Sequence, residues 1–238
     1  MTPERVAVVI GAASGIGAAC LTAFRSSGRY GRLVTVDILA VPDSRHHLRA
    51  DLADESERIR VIDELLEIPE PVGALAYCAG IARAVDAGAG AWPEWRRILE
   101  IDLIAAAHIL CALHPRLVGD GCAVVTVDST AADVGSSASP PYAAAKAGLR
   151  LLTRSLAVRT AGSKARYNGV APGPIDTPLG AEFAASVGVE QTAIAERTVA
   201  KRLGSPEEVA ATVDFLCSPA ASYINGSVVT VDGGYLAG

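Results

Sequence analysis

Tyr142 and Lys146 stand four positions apart in "PPYAAAKAGLRLL" (140–152), with only alanine between them. On a helix that spacing puts both side chains on one face. A phenol beside an ammonium is an acid–base device. Free tyrosine titrates near pH ~10, too high for a good base at neutral pH. A neighbouring cation favours the tyrosinate and lowers that value. Oxidation of a secondary alcohol needs such a base while a hydride leaves. Taken alone, however, the pair is more simply read as two surface residues of a helix, so the rest of the chain has to decide.

A second group is glycine-rich. "VVIGAASGIGAAC" joins an apolar run to a helical one and carries Gly11, Gly15 and Gly17. Glycines at a sharp strand-to-helix turn let a pyrophosphate approach the backbone, and the helix N-terminus supplies N–H groups and positive dipole. The spacing differs from the G-x-G-x-x-G fingerprint, and a tight turn without ligand is the competing reading. Asp37 ends the next apolar run, about 20 residues on, where an acid bonds both ribose hydroxyls of an adenosine and repels a 2′-phosphate. That favours NAD over NADP, although Arg45 and Arg49 in the following segment would blunt the preference. His46 and His47 are adjacent on an expected loop without a ligand set at metal spacing, so no metal site is expected.

The elements that must position these groups alternate. Apolar runs at 5–10, 32–37, 73–78, 122–128, 165–171 and 227–232 read as buried strands. Segments 15–28, 54–68, 93–114, 141–161 and 206–217 have helical spacing. Such alternation predicts an α/β fold, a Rossmann-type doubly wound parallel sheet of about seven strands with helices on both faces. No linker or repeat interrupts it, so 1–238 reads as a single domain. The last helix has a marked start, with Ser205 as N-cap, Pro206 in the first turn and Glu208 three residues on. Segment 38–50 leaves room for little more than one helical turn. The weakly patterned 178–200 reads as a lid, and "GAGAW" (88–92) as a flexible loop on the catalytic side.

Of the 238 residues half are apolar, and the net charge is −5 with no basic run. Nucleic acid and anionic membrane surfaces are therefore not expected partners. The N-terminus lacks the pattern of a signal peptide, and no apolar run reads as a membrane span. The five cysteines are odd in number and scattered, which fits a reduced, cytoplasmic chain with buried thiols.

Read together, "GAASGIG" (11–17), "DL" (51–52), "AG" (79–80), "YAAAK" (142–146), "NGVAPGPIDTP" (168–178), "RLGSPEEVA" (202–210) and "FLCSPAASYINGSVVTVDGG" (215–234) resemble the short-chain dehydrogenase/reductase family nearly end to end. The resemblance implies roles. Gly11, Ser14, Gly15, Ile16 and Gly17 form the phosphate loop, and Asp37 takes the ribose. Asp51 and Leu52 flank the adenine, while Ala79 and Gly80 lie beside the cofactor ribose. Pro172, Gly173, Ile175 and Thr177 border the nicotinamide and a phosphate. Tyr142 is the acid/base, and Lys146 lowers its pKa and grips the ribose. Ser129 holds the substrate oxygen. Asp102 occupies a relay position where the family commonly has Asn, which bends the helix and holds a water.

Asp102 is one of four departures. The others are Ile10 for the usual Thr, Tyr77 and Cys78 for two amides, and the short 38–50 segment. A carboxylate at 102 brings charge and loses amide donors, and is expected to raise the pKa of Lys146. Cys78 reads as buried filler. The implied enzyme is an NAD-dependent oxidoreductase of a secondary alcohol or ketone, with NADP less favoured. An Ala-rich lid with Phe183 as its one aromatic residue points to a small uncharged substrate. An NADPH-dependent 3-oxoacyl reductase and a non-catalytic dinucleotide-binding sensor or scaffold stay open. The family implies a homotetramer, in which "AAAHILCAL" would face a partner or the core.

Overall fold

A computed structural model of the protein describes residues 5–85 and 88–238. Its centre is a seven-stranded, all-parallel sheet in the order β3-β2-β1-β4-β5-β6-β7. The strands are β1 (Val6–Ile10), β2 (Arg32–Asp37), β3 (His47–Arg49), β4 (Val72–Tyr77), β5 (Ala123–Val127), β6 (Arg166–Pro172) and β7 (Val228–Val231).

The sequence "VAVVI" shows why the sheet is buried on both faces. Successive side chains of a strand alternate between faces. Val6, Val8 and Ile10 enter one core layer, and Ala7 and Val9 the other. The first layer packs under α2 (Glu55–Leu66), α4 (Ala105–Gly119) and α5 (Pro140–Val158). The second packs under α1 (Gly15–Ser27) and α8 (Pro206–Cys217). Two faces of nearly continuous apolar strand therefore each receive a helical layer. The order of connections reverses between β1 and β4, which opens a crevice at their carboxyl ends.

Several expectations change in detail. Segment 38–46 holds no helix. Pro42 and a left-handed Asp43 (φ 57°) turn the chain directly into β3, so His47 lies in a strand rather than a loop. The expected 93–114 helix is three pieces: α3 (Trp92–Leu99), a π-helical turn at Glu100–Ile104, and α4. "GAGAW" is likewise not a free loop, since Ala89–Ala91 is a 3₁₀ turn leading into α3. Asp86 and Ala87 of the 82–92 loop lie outside the described residues.

The continuous helical run 92–119 is long and apolar enough to cross a membrane by length and composition, contrary to the sequence expectation. Half of its apolar 18-residue window is buried within the protein, as in a core helix. "AAAHILCAL" accordingly faces inward through Ala105, Ala106, Ile109, Leu110 and Leu113, while Cys111 is exposed. The 178–200 segment forms two short helices, α6 (Pro178–Ser186) and α7 (Gln191–Ala195).

The start of α8 carries the expected capping box. Ser205 Oγ accepts from the Glu208 N–H at 3.4 Å, and the Ser205 N–H donates to Glu208 Oε2 at 2.8 Å. Replacing the cap leaves a first-turn N–H unsatisfied. Ser205→Ala is expected to lower the unfolding free energy by about 1 kcal/mol, measured by urea denaturation with an unchanged m-value.

Candidate active site

Lys146 sits on α5 one turn after Tyr142, on the side facing the sheet. Its Nζ lies 3.0 Å from Asp102 Oδ1 and donates to the Val127 carbonyl at 3.4 Å. Both side chains of the ion pair are withdrawn from water, Asp102 completely and Lys146 to 5% exposure. The second oxygen of Asp102 accepts from the Ile81 N–H at 2.9 Å.

Asp102 reaches this place from the π-helical turn. A π turn inserts one residue into an α-helix and commonly marks a functional site. The helix is thus interrupted by a π turn with aspartate in the position where asparagine is common in the family. Gly80 explains how the pair fits under β4. A Cβ there would lie 2.5 Å from Asp102 Oδ1 and 2.9 Å from Lys146 Nζ, so any other residue would force the charges apart.

Three ionisable groups feel one another here. Burial pushes Asp102 above the usual carboxylate range, although Lys146 and the Ile81 N–H pull it down. For Lys146 burial is the largest influence and pulls downward, but Asp102 and Tyr142 outweigh it, so its value lies above the ordinary one. Burial also raises Tyr142. Lys146 and a hydrogen bond to Ser129 pull it back, while Asp102 and Asp128 push it up. The Lys146 ammonium lies 5.5 Å from the centre of the Tyr142 ring. Ser129 follows β5, and its Oγ also accepts from the Ala131 N–H at 3.1 Å. The fold therefore brings Ser129, Tyr142, Lys146 and Asp102 together at the carboxyl end of the sheet.

The glycine loop lies across the same crevice. Gly11 has φ +82°, and a Cβ on it would come within 2.5 Å of the Ala79 nitrogen. A Cβ on Gly17 would sit 1.8 Å from the Gly11 carbonyl oxygen. These contacts lock the loop to itself and to the end of β4. Gly15 (φ +50°) meets the Thr177 methyl, at 3.2 Å from where its Cβ would be. Thr177, the N-cap of α6, thereby closes over the start of α1, near Ile175, which pairs with Gly204. Pro172 ends β6, and Gly173 packs against Asp232, where a Cβ would be 2.6 Å away.

These residues fit a dinucleotide. The first turn of α1 holds no acid, and Ser14 makes no side-chain cap, which leaves the first N–H groups of the helix uncapped by that side chain. Asp37 accepts from the Ala13 N–H and the Leu39 N–H, each at 2.9 Å. That leaves lone pairs for two hydroxyls. Ile38 and Leu39 beside it are exposed apolar side chains that could cover a base. Asp51 is tied to its own turn through Ala53, and the Leu52 carbonyl accepts from buried Arg58 at 2.7 Å. Arg58 in turn pairs with Glu100 at 2.8 Å, linking the adenine side of the crevice to the π turn.

Some features were not foreseen. Arg58 escaped notice because its burial depends on a contact between distant segments. Arg150 was missed too, although it bonds Asp128 at 2.9 Å and the Ser129 carbonyl at 3.1 Å. Its spacing from Lys146 on the same helix was the available signal. Tyr77 is fully buried, and its hydroxyl has no partner among the described residues. Cys78 is only half-buried, and it packs against the apolar layer that holds Cys20. No group of His, Cys, Asp and Glu among the described residues is arranged to hold a metal.

Comparison with known proteins agrees with this geometry. A family described as enoyl-(acyl carrier protein) reductase matches residues 11–236. The cis-4-hydroxycyclohexanecarboxylate dehydrogenase of Sinomonas cyclohexanicum is 41% identical over 98% of this chain and 97% of its own. The cyclopentanol dehydrogenase of a Comamonas species is 30% identical over 98% of each. The ligand-free structure of Thermoplasma acidophilum aldohexose dehydrogenase superposes with a TM-score of 0.89 at 27% identity, covering 99% of this chain and 95% of that one. The chain belongs to the short-chain dehydrogenase/reductase family, and is an oxidoreductase acting on alcohols or ketones with a nicotinamide cofactor.

Proposed function

We propose that the protein is an NAD-dependent dehydrogenase of a small cyclic secondary alcohol, working reversibly. The observation that carries this reading is the meeting of Ser129, Tyr142 and Lys146 at the carboxyl end of the sheet, beside a glycine loop and Asp37. The ring alcohols named for two relatives support the substrate class.

In this reading the glycine loop, Asp37, Lys146, Ile175 and Thr177 would hold the nicotinamide cofactor, which would supply the hydride acceptor for oxidation and the hydride donor for reduction. Ser129 and Tyr142 hold the substrate hydroxyl between them. Tyr142 removes its proton as the carbon is oxidised, and donates one to the carbonyl oxygen in the reverse direction. Lys146 stabilises the tyrosinate through its charge, and its remaining donors serve the ribose. Ser129 supports charge developing on the substrate oxygen. Asp102 anchors Lys146 and sets its charge. Asp37 takes the adenosine ribose, and its negative charge disfavours a 2′-phosphate. The α6–α7 segment acts as a lid, since the Ala84 N–H donates to Ser186 Oγ at 3.3 Å across the mouth of the crevice.

A cytoplasmic homotetramer completes the reading. Leu151 and Val158 on α5 and Ile104 at the end of the π turn are exposed apolar side chains available for subunit contact.

The test is turnover of cyclopentanol, cyclohexanol and cis-4-hydroxycyclohexanecarboxylate with NAD⁺ and with NADP⁺. Tyr142→Phe is expected to lower kcat by roughly 10²–10⁴-fold while cofactor affinity, followed by nucleotide fluorescence, stays near that of the parent. Undiminished turnover in Tyr142→Phe would remove the acid–base assignment. Activity confined to NADPH and an acyl thioester would favour a 3-oxoacyl reductase instead.

Asp37→Ser is expected to raise KM for NAD⁺ and to narrow the preference over NADP⁺, read as the ratio of the two kcat/KM values. Asp102→Asn removes a negative charge that raises Tyr142. Loss of that charge makes the tyrosinate easier to form, so the ascending limb of the pH–rate profile for oxidation moves to lower pH, by about one unit. An unmoved limb would show that residue 102 does not reach the phenol.

A further inference from the structure

Arg150 lies on α5 one turn beyond Lys146, so Tyr142, Lys146 and Arg150 follow one another along one helix face. Its guanidinium is almost wholly occupied. Nε donates to Asp128 Oδ2 at 2.9 Å, and one terminal nitrogen reaches Asp128 Oδ1 at 3.4 Å and the Ser129 carbonyl at 3.1 Å. The same nitrogen donates to Asp133 Oδ2 at 3.0 Å, and the other bonds Asp133 Oδ1. The Asp128 side chain is fully buried, and that of Arg150 is 12% exposed. The main chain of Asp128 is held independently, its N–H donating to the Val170 carbonyl at 2.9 Å.

We infer that Arg150 is a positioning residue, which pins the 128–133 turn to α5 and balances the buried charge of Asp128 so that Ser129 stays opposed to Tyr142. The inference rests on the acid–base reading of Tyr142 above. Only a planar fork with five donors can serve two carboxylates and a carbonyl at once. A buried carboxylate stripped of its partner is strongly unfavourable and projects its charge through a low dielectric.

The charged and titratable groups are few. Tyr142 faces Lys146 from its own helix, Asp102 from the π turn, and Ser129 and Asp128 from the turn after β5. Asp128 faces Arg150 and Lys146 from α5, and Asp133 faces Arg150. Asp102 is matched by Lys146. Asp128 and half-exposed Asp133 share Arg150 as their direct partner, so removing Arg150 leaves both carboxylates without it, and the buried charge of Asp128 is the one that acts on the phenol.

The experiment is a cycle of Arg150→Met, Asp128→Asn and the double variant, measured as pH–rate profiles with NAD⁺ and the alcohol that the panel above selects. Arg150→Met is expected to move the ascending limb up by about one unit and lower kcat near neutrality about tenfold, with KM for NAD⁺ unchanged. The double variant is expected to return the limb to the parent position, and Asp128→Asn alone to leave it there or lower. An ultraviolet tyrosinate titration, taken as a difference against Tyr142→Phe, reads the same movement without turnover.

A structural tie alone would lower activity equally at every pH and give no rescue by Asp128→Asn. Either result overturns the inference. Where Arg150→Met does not fold, Arg150→Lys and Asp128→Asn carry the test. Lysine keeps the charge but not the fork, so kcat falls with the limb in place. A limb that rises in Asp128→Asn or in Arg150→Lys overturns the role. An unmoved limb in Arg150→Met, with turnover lost in Tyr142→Phe, overturns it while sparing the acid–base reading. Undiminished turnover in Tyr142→Phe overturns both.

Discussion

The buried ion pair between Asp102 and Lys146 is the constraint around which the crevice is built. Taking two charges out of water costs several kcal/mol per ion, and their attraction offsets that only with good geometry and satisfied remaining groups. Here the second oxygen of Asp102 is occupied by the Ile81 N–H, and Lys146 has the Val127 carbonyl as a further acceptor. Three requirements follow. The helix must bulge at 100–104 to push residue 102 inward, residue 80 must lack a side chain, and β5 must end where its last carbonyl can meet an ammonium. Each is met by a different segment. The site is therefore a property of the assembled sheet and not of α5 alone.

The same geometry ties the phosphate side of the crevice to the chemical side. Gly11 touches the backbone of Cys78 and Ala79, and Gly80, immediately after, touches the ion pair. A side chain on either glycine would be felt at both ends of this short stretch. Arg58 makes a second tie by donating to Leu52 and pairing with Glu100 on the π turn. Both connections run through close-packed contacts, which deform little. Placement of the cofactor loop and placement of Lys146 are consequently not independent variables of this fold.

Much of the fold was legible because its signals are local. Strand runs such as "VAVVI", the capping box at Ser205 and the glycine loop depend on neighbours in sequence. The misreadings share the opposite cause. β3 has three residues and little pattern of its own, and is defined by pairing with β2. The π turn carries Asp102 to Lys146 across the core, a contact between distant segments, so periodicity alone predicts one unbroken helix. Within the site, Tyr142 and Lys146 were conspicuous by spacing, whereas Ser129, an ordinary strand-end hydroxyl taken alone, stood out only through the family resemblance. Arg150 was equally well spaced, but its meaning lay in Asp128 and Asp133, residues with ordinary local explanations.

Along α5 the alternation of partners gives the arrangement its electrostatic logic. Tyr142 meets Ser129, Lys146 meets Asp102, and Arg150 meets Asp128 and Asp133, at successive turns of one helix. Two cations are thus set against two fully buried carboxylates and one half-exposed one. An asparagine at 102 would leave Lys146 as an unbalanced positive charge beside the phenol, which strongly favours tyrosinate. With aspartate there, the charge of Lys146 is shared, and the phenol sees a nearly neutral surround whose balance depends on both arginine and lysine. Part of the cation's leverage over the phenol is exchanged for an ammonium fixed by Asp102 and the Val127 carbonyl. In the proposed reading, Lys146 and the segment after β6 would hold a nicotinamide near Tyr142, and the positive charge of its oxidised ring would add to that of Lys146 in favouring the tyrosinate.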